Sequence, residues 1–214
     1  MNKLASTIVW TAALSGWFAM LAATAIAQSD VETRARARSA ILSIESRVDR
    51  ATNRVERFYA LAELPTVALA AADVALAVKS AKELLAMGED VNWTGTHDSG
   101  RRNDAIHISN TVLGLIELEK GNIAAANDHL LASGRLEGTT PAHLATFGPN
   151  ILLAKKLIEK GEKAAPLEYF DRCAKFWQME DGKLQNWKEA VSKGEVPDFG
   201  PNLRYVVEIW RYRN

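Results

Sequence analysis

The stretch NTVLGLIELEKGNIAAANDHLLAS, running from Asn110 to Ser133, decides the fold. Val112, Leu113, Leu115 and Ile116 give a helix one apolar side, in a segment that reads as helical from Asp104 to Lys120. Gly121 ends that helix, because glycine enters the left-handed region at no steric cost. Ile123 to Ser133 forms the return helix, and Gly134 stops it. Small residues mark where the two helices cross: Gly114 on the first and Ala126 on the second let the backbones approach. Leu130 is large and fills the seam toward the next pair.

The same pattern returns 40 residues later. Leu113-Gly114 matches Leu153-Ala154, Glu119-Lys120-Gly121 matches Glu159-Lys160-Gly161, and Leu130 matches Phe170. Similarity at a fixed offset is the mark of stacked repeats. The expected fold class is all-α, with antiparallel helix pairs stacked as a short solenoid.

This arrangement resembles the tetratricopeptide repeat (TPR). Asn110 to Ser133 supplies its Leu-Gly step, its turn, the alanine of its second helix and a large residue four places on. The offset exceeds the usual period of about 34. Glu117 stands where the family has an aromatic, and Pro166 takes the small-residue place of the second copy. A wider likeness, from Phe58 to Tyr205, is to a group of exported bacterial TPR-like proteins. It is carried by Asp104-Ala105-Ile106-His107-Ile108-Ser109-Asn110, Val112-Leu113-Gly114, Phe147-Gly148-Pro149-Asn150, Leu167-Glu168-Tyr169-Phe170 and Pro197-Asp198-Phe199-Gly200. The resemblance implies a TPR-like fold whose first helices form a concave face for a peptide or protein. It implies no activity.

Outward from the repeat, Ser29 to Leu64 reads as one long helix. Ser29-Asp30-Val31-Glu32 has capping-box form. Ala37, Ile41, Ile44, Val48, Ala51, Val55, Phe58 and Ala62 alternate steps of four and three, which is a heptad seam. Pro65 closes it. The seam suits packing on the protein's own helices or a homodimeric coiled coil. Thr66 to Met87 reads as a second helix, with a stripe of Val67, Ala70, Ala71, Val74, Val78, Ala81 and Leu85 ended by Gly88. Glu89 to Asn103 is the longest polar loop. Later helices are expected from Pro149 to Gly161, Pro166 to Met179 and Lys183 to Ser192. The organisation is therefore a long amphipathic helix in 28–65, a helical domain in 66–194, and a C-terminal tail in 195–214 packed on it.

Residues 4–27 are apolar, with Lys3 the only charge before Asp30, and Ala25-Ile26-Ala27 has the small-x-small form that signal peptidase accepts. Cleavage after Ala27 is expected, which places the rest in the periplasm or outside. The alternative is a retained inner-membrane anchor, since Ile8 to Ala27 is long enough to span a bilayer. Arg34, Arg36 and Arg38 follow closely and oppose translocation.

Lys plus Arg equals Asp plus Glu at 26 each, so no net field draws the chain to nucleic acid. The 48% apolar share supports a packed core. Cys173 is the only cysteine, which excludes an intrachain disulfide; among Phe170, Phe176 and Trp177 it reads as a buried small hydrophobe. Trp177 and Trp187 read as core.

Of the four histidines, His97, His107, His129 and His143, no two stand at i, i+4, so no metalloprotease face exists. There is no phosphate-binding Gly-Lys loop and no dinucleotide fingerprint. His97-Asp98-Ser99 lacks the glycines of a nucleophile elbow. No catalytic residue, metal or cofactor is expected. Asp104, His107 and Asn110 share one helical face beneath the polar loop. Trp93 of that loop can line a pocket with His107, a mix that suits ligands. Trp93, His97, Asp104, His107, Asn110 and Asn150 form the candidate binding set. The expected function is an exported, non-catalytic TPR-like module that binds a peptide, a protein partner or an envelope component. Two rivals stand beside it: a small-ligand binder or hydrolase using the 91–102 loop and the His107 face, and a scaffold self-associating through its first helix.

Overall fold

The computed structural model describes residues 31–90 and 96–203, with side chains from residue 100 onward in the second stretch. The apolar leader, Trp93, the His97 side chain and the tail beyond Leu203 lie outside the described residues. The described residues form helices joined by turns and loops: α1 (residues 31–50), α2 (Arg54–Ala70), α3 (Val74–Glu89), α4 (Thr96–Glu119), α5 (Ile123–Ser133), α6 (Ala142–Thr146), α7 (Leu152–Glu159), α8 (Ala164–Cys173), α9 (Lys183–Lys193) and a 3-10 turn, Gly200–Leu203.

Neighbours in sequence pack as pairs: α2 with α3, α4 with α5, α7 with α8. The first helices also touch one another, α2 against α4 and α4 against α7, and α5 touches α8. The turns inside the pairs are built alike. In each, one N–H reaches back three residues and the next reaches back five, which is the Schellman cap. Gly121 N–H donates to Leu118 O (3.0 Å) and Asn122 N–H to Glu117 O (2.9 Å). Gly161 N–H donates to Ile158 O (2.9 Å) and Glu162 N–H to Leu157 O (3.0 Å). Gly121 and Gly161 have φ of +81° and +91°. The α2–α3 turn repeats the bonds, from Ala72 N–H to Leu69 O (3.0 Å) and Asp73 N–H to Ala68 O (2.9 Å), with Ala72 at φ +60° in the glycine's place.

That third turn corrects the reading of the N-terminal region. Pro65 does not end a helix; it lies inside α2, which runs on to Ala70. Proline costs an interior helix about 3 kcal/mol. Leu61, Leu64, Val67 and Ala68, all buried around it, offset that cost. The long first helix is instead broken at residues 51–53. Asn53 caps α2 by accepting from Glu56 N–H (3.0 Å), and the Glu56 carboxylate accepts from Thr52 N–H and Oγ1 (both 2.9 Å). This is a reciprocal cap, and it outweighs the helical continuity that the heptad spacing suggests. Val55 turns outward, while Ala37, Ile41, Ile44 and Val48 bury against Phe58, Leu61, Leu64 and Leu84 of the same chain.

Other boundaries move too. Residues 96–103, read as loop, form the first turns of α4. Ala81 of the predicted stripe is buried, but Val74, read into the same stripe, is exposed, and Ala77 and Leu84 face the core beside Ala81. α7 starts at Leu152 rather than Pro149, with the Asn150 Oδ1 accepting from Leu152 N–H (2.8 Å). Gly134 ends α5 at φ −95°, so its use is space rather than a left-handed turn. A Cβ there would lie 3.0 Å from Tyr169 Cδ2 and 3.2 Å from Arg172 Cβ.

The C-terminal core is aromatic. Trp187 stands at 5.8 Å from Phe170, 5.7 Å from Trp177 and 5.0 Å edge-on from Phe199, ring centre to ring centre. Cys173 is fully buried there, and burial pushes its thiol far above the ordinary range.

Candidate functional site

Four of the expected residues can be placed, and they divide among three settings. His107 and Asn150 meet. His107 Nδ1 lies 3.1 Å from Ser133 O, and Asn150 N–H donates to His107 Nε2 at 3.2 Å. A carbonyl only accepts and an amide only donates, so the ring is neutral with its proton on Nδ1. The Asn150 carbonyl in turn accepts from Tyr169 Oη at 3.2 Å. One histidine therefore ties α4 to the end of α5, the start of α7 and, through Asn150, α8. His107 is 4% exposed, and burial holds its pKa below the ordinary histidine value. Both ring nitrogens are occupied, so the group has no lone pair to offer a substrate.

Asn110, one turn on, is not part of that node. Its Nδ2 donates to Ile106 O (2.9 Å) and its Oδ1 accepts from His129 Nδ1 (2.9 Å), which fastens α4 to α5. Asp104 faces another way and pairs with His143 of α6, Oδ1 to Nε2 at 3.1 Å. Contact with that carboxylate raises the His143 pKa, against a smaller opposing effect of burial. Asn103, which the sequence reading passed over, is fully buried. Its Nδ2 donates to Glu137 O (2.9 Å) and Thr139 O (3.0 Å), and its Oδ1 accepts from Glu137 N–H (3.1 Å). It clamps the loop between α5 and α6 to α4.

The clamped loop walls two adjoining depressions that share Arg135 and Glu137. The smaller, about 230 Å³, lies between Leu85 and Glu89 of α3 and Ala132 of α5, floored by Arg102, Ile106 and Asn110 of α4. The larger, about 410 Å³, runs from Gly134 and Leu136 to Glu168, Asp171, Arg172 and Lys175 of α8. Together they make a groove across the C-terminal ends of α3, α5 and α8. Some of its charges are already used: Arg172 bonds Leu131 O and Glu168, and Asp171 pairs with Lys188 at 2.6 Å. The side chains of Glu89, Arg102, Arg135, Glu137 and Lys175 make no ion pair or hydrogen bond with the described residues. Asn110, of the expected set, lies on the groove floor; His107, Asp104 and Asn150 do not line it.

Among the described residues, no three His, Cys, Asp or Glu side chains gather closely enough to hold a metal ion. No helix of the described residues is long and apolar enough to cross a membrane. Set against family models, curated proteins and solved structures, the chain matches none.

Proposed function

We propose that this chain is a non-catalytic TPR-like interaction module that holds an extended polypeptide segment in the groove at the ends of α3, α5 and α8. The observation that carries the reading is the groove itself: a clamped channel in which five charged side chains have no partner among the described residues, beside apolar Leu85, Ile106 and Leu136. Donors and acceptors together beside a partly apolar floor suit a peptide, whose main chain needs both. The TPR-like stacking is supported by the repeated Schellman turns and by the burial of Gly114 and Ala154, and of Leu130 and Phe170, at matched positions. The non-catalytic part is supported by the occupied nitrogens of His107 and the buried Cys173 thiol. Export is supported by the apolar run ending in Ala25-Ile26-Ala27.

The test is a peptide-library screen against the protein and against an Arg135→Ala, Glu137→Ala double variant. Both substituted side chains are exposed, so the fold is unaffected. Wild-type binders should lose about tenfold or more in affinity, as two polar contacts at about 0.5–1.5 kcal/mol each imply. Binders indifferent to the double change would place the site elsewhere.

A further inference from the structure

We infer that α6 is a proton-operated latch, closed over α4 by the Asp104–His143 contact and protecting the buried His107–Asn150 node beneath it. α6 is only five residues long, Ala142–Thr146, and lacks a side-chain cap at its start. So short a helix does not hold by itself. Its attachments are mostly ones that do not titrate: the Ala145 carbonyl accepts from Gln178 N–H at 2.9 Å and Met179 N–H at 3.3 Å, Thr146 O accepts from Trp177 Nε1 at 3.0 Å, and Leu144 buries in the core. The one that titrates is His143, whose Nε2 meets Asp104 Oδ1 at 3.1 Å. The chain then passes directly into Phe147, Gly148, Pro149 and Asn150, so movement of α6 bears on the strap that carries the His107 bond.

The charges facing His143 come from α4: Asp104, its partner, and His107, one turn further along. Protonated His143 gains a charge-assisted bond to the Asp104 carboxylate, which the neutral ring lacks. The same positive charge opposes protonation of His107. Mild acid thus tightens α6 and shields the one buried group whose protonation would break the Asn150 bond. Asn103 isolates the neighbouring loop from this event, because its three bonds involve an amide and two carbonyls that do not titrate.

That isolation supplies an internal control. Backbone amide exchange, corrected for intrinsic rates, is measured near pH 5.5 and near pH 8, either side of an ordinary histidine pKa of about 6.5. The reporters are Ala145 N–H, bonded to Pro141 O, and Phe147 N–H, bonded to His143 O, with Glu137 N–H, held by Asn103, as reference. Protection at Ala145 and Phe147 should fall about twofold to fivefold from the acid to the alkaline condition, the range of a half-exposed ion pair, while Glu137 holds steady. His143→Gln and Asp104→Asn should each abolish the difference. His143 is largely exposed, so the first variant reads cleanly even where the second disturbs α4. Equal protection at both pH values in the wild type, or an undiminished difference in His143→Gln, overturns the latch.

Discussion

At the scale of the residue, Ala72 is the clearest anomaly. Gly121, Gly161 and Gly194 hold the left-handed cap position after α4, α7 and α9, and Ala72 holds it after α2 at φ +60°. A Cβ in that region costs about 1–2 kcal/mol, more than the extra chain freedom glycine loses on folding. Ala72→Gly should therefore raise stability by about 0.5–1 kcal/mol, read as a higher urea midpoint; a lower midpoint would show that the turn is not strained. His107 is the opposite case. His107→Ala leaves Asn150 N–H and Ser133 O buried without partners and should cost about 2–4 kcal/mol. The same residue sets the pH response. Its folded pKa is depressed, so the unfolded chain binds the proton first, and stability present above about pH 6.5 is lost as pH falls through the folded value. His143 has the reverse sign: its contribution is present below about 6.5 and fades as pH rises through its raised value. The buried group dominates the half-exposed pair, so the urea midpoint should drop between pH 7 and pH 5, and drop less in His107→Gln. His107 and Asn150 both stood in the candidate binding set. Their union was not legible, because the bonds run to backbone atoms 26 and 43 positions away.

At the scale of the element, the turn and crossing of the pair α4–α5 were legible almost to the residue, because period, turn glycine and crossing residues all agreed, although α4 starts eight residues before Asp104. Gly114 shows why. A Cβ there collides with Leu153 of α7 and comes within 3.0 Å of His129 Cβ on α5. Gly→Ala inside a helix ordinarily gains up to about 1 kcal/mol. At Gly114 the crossing reverses the sign, and Gly114→Ala should lower stability by about 1–3 kcal/mol. An unchanged or raised midpoint would contradict the close crossing. The N-terminal helices were misread for a definite reason. A heptad seam and a proline were weighed above Asn53 and Glu56, yet those two make the cap that divides α1 from α2. Removing it with Asn53→Ala should cost about 1 kcal/mol. The α2–α3 turn was missed because Ala72 carries none of glycine's signal.

At the scale of the whole molecule, helix pairs repeat one turn geometry and leave a charged groove at one set of helix ends. Helical periodicity and the 40-residue repeat forecast the all-helical class; the groove was not legible, since it joins Leu85, Asn110, Arg135 and Lys175 from four separate segments. The proposed export predicts that envelope-fraction protein has the mass of a chain beginning at Gln28; a mass retaining residues 1–27 would favour the anchored alternative. The central claim is that partners bind in the groove, and position-specific photo-crosslinking tests it most directly. A photoreactive residue is placed at Leu136, on the groove wall, and separately at Val74, exposed on α3 away from it. The account predicts a discrete polypeptide adduct at position 136, lost when Arg135 and Glu137 are both alanine, and none at position 74. Equal labelling at the two positions, or a 136 adduct that survives the double change, would contradict it.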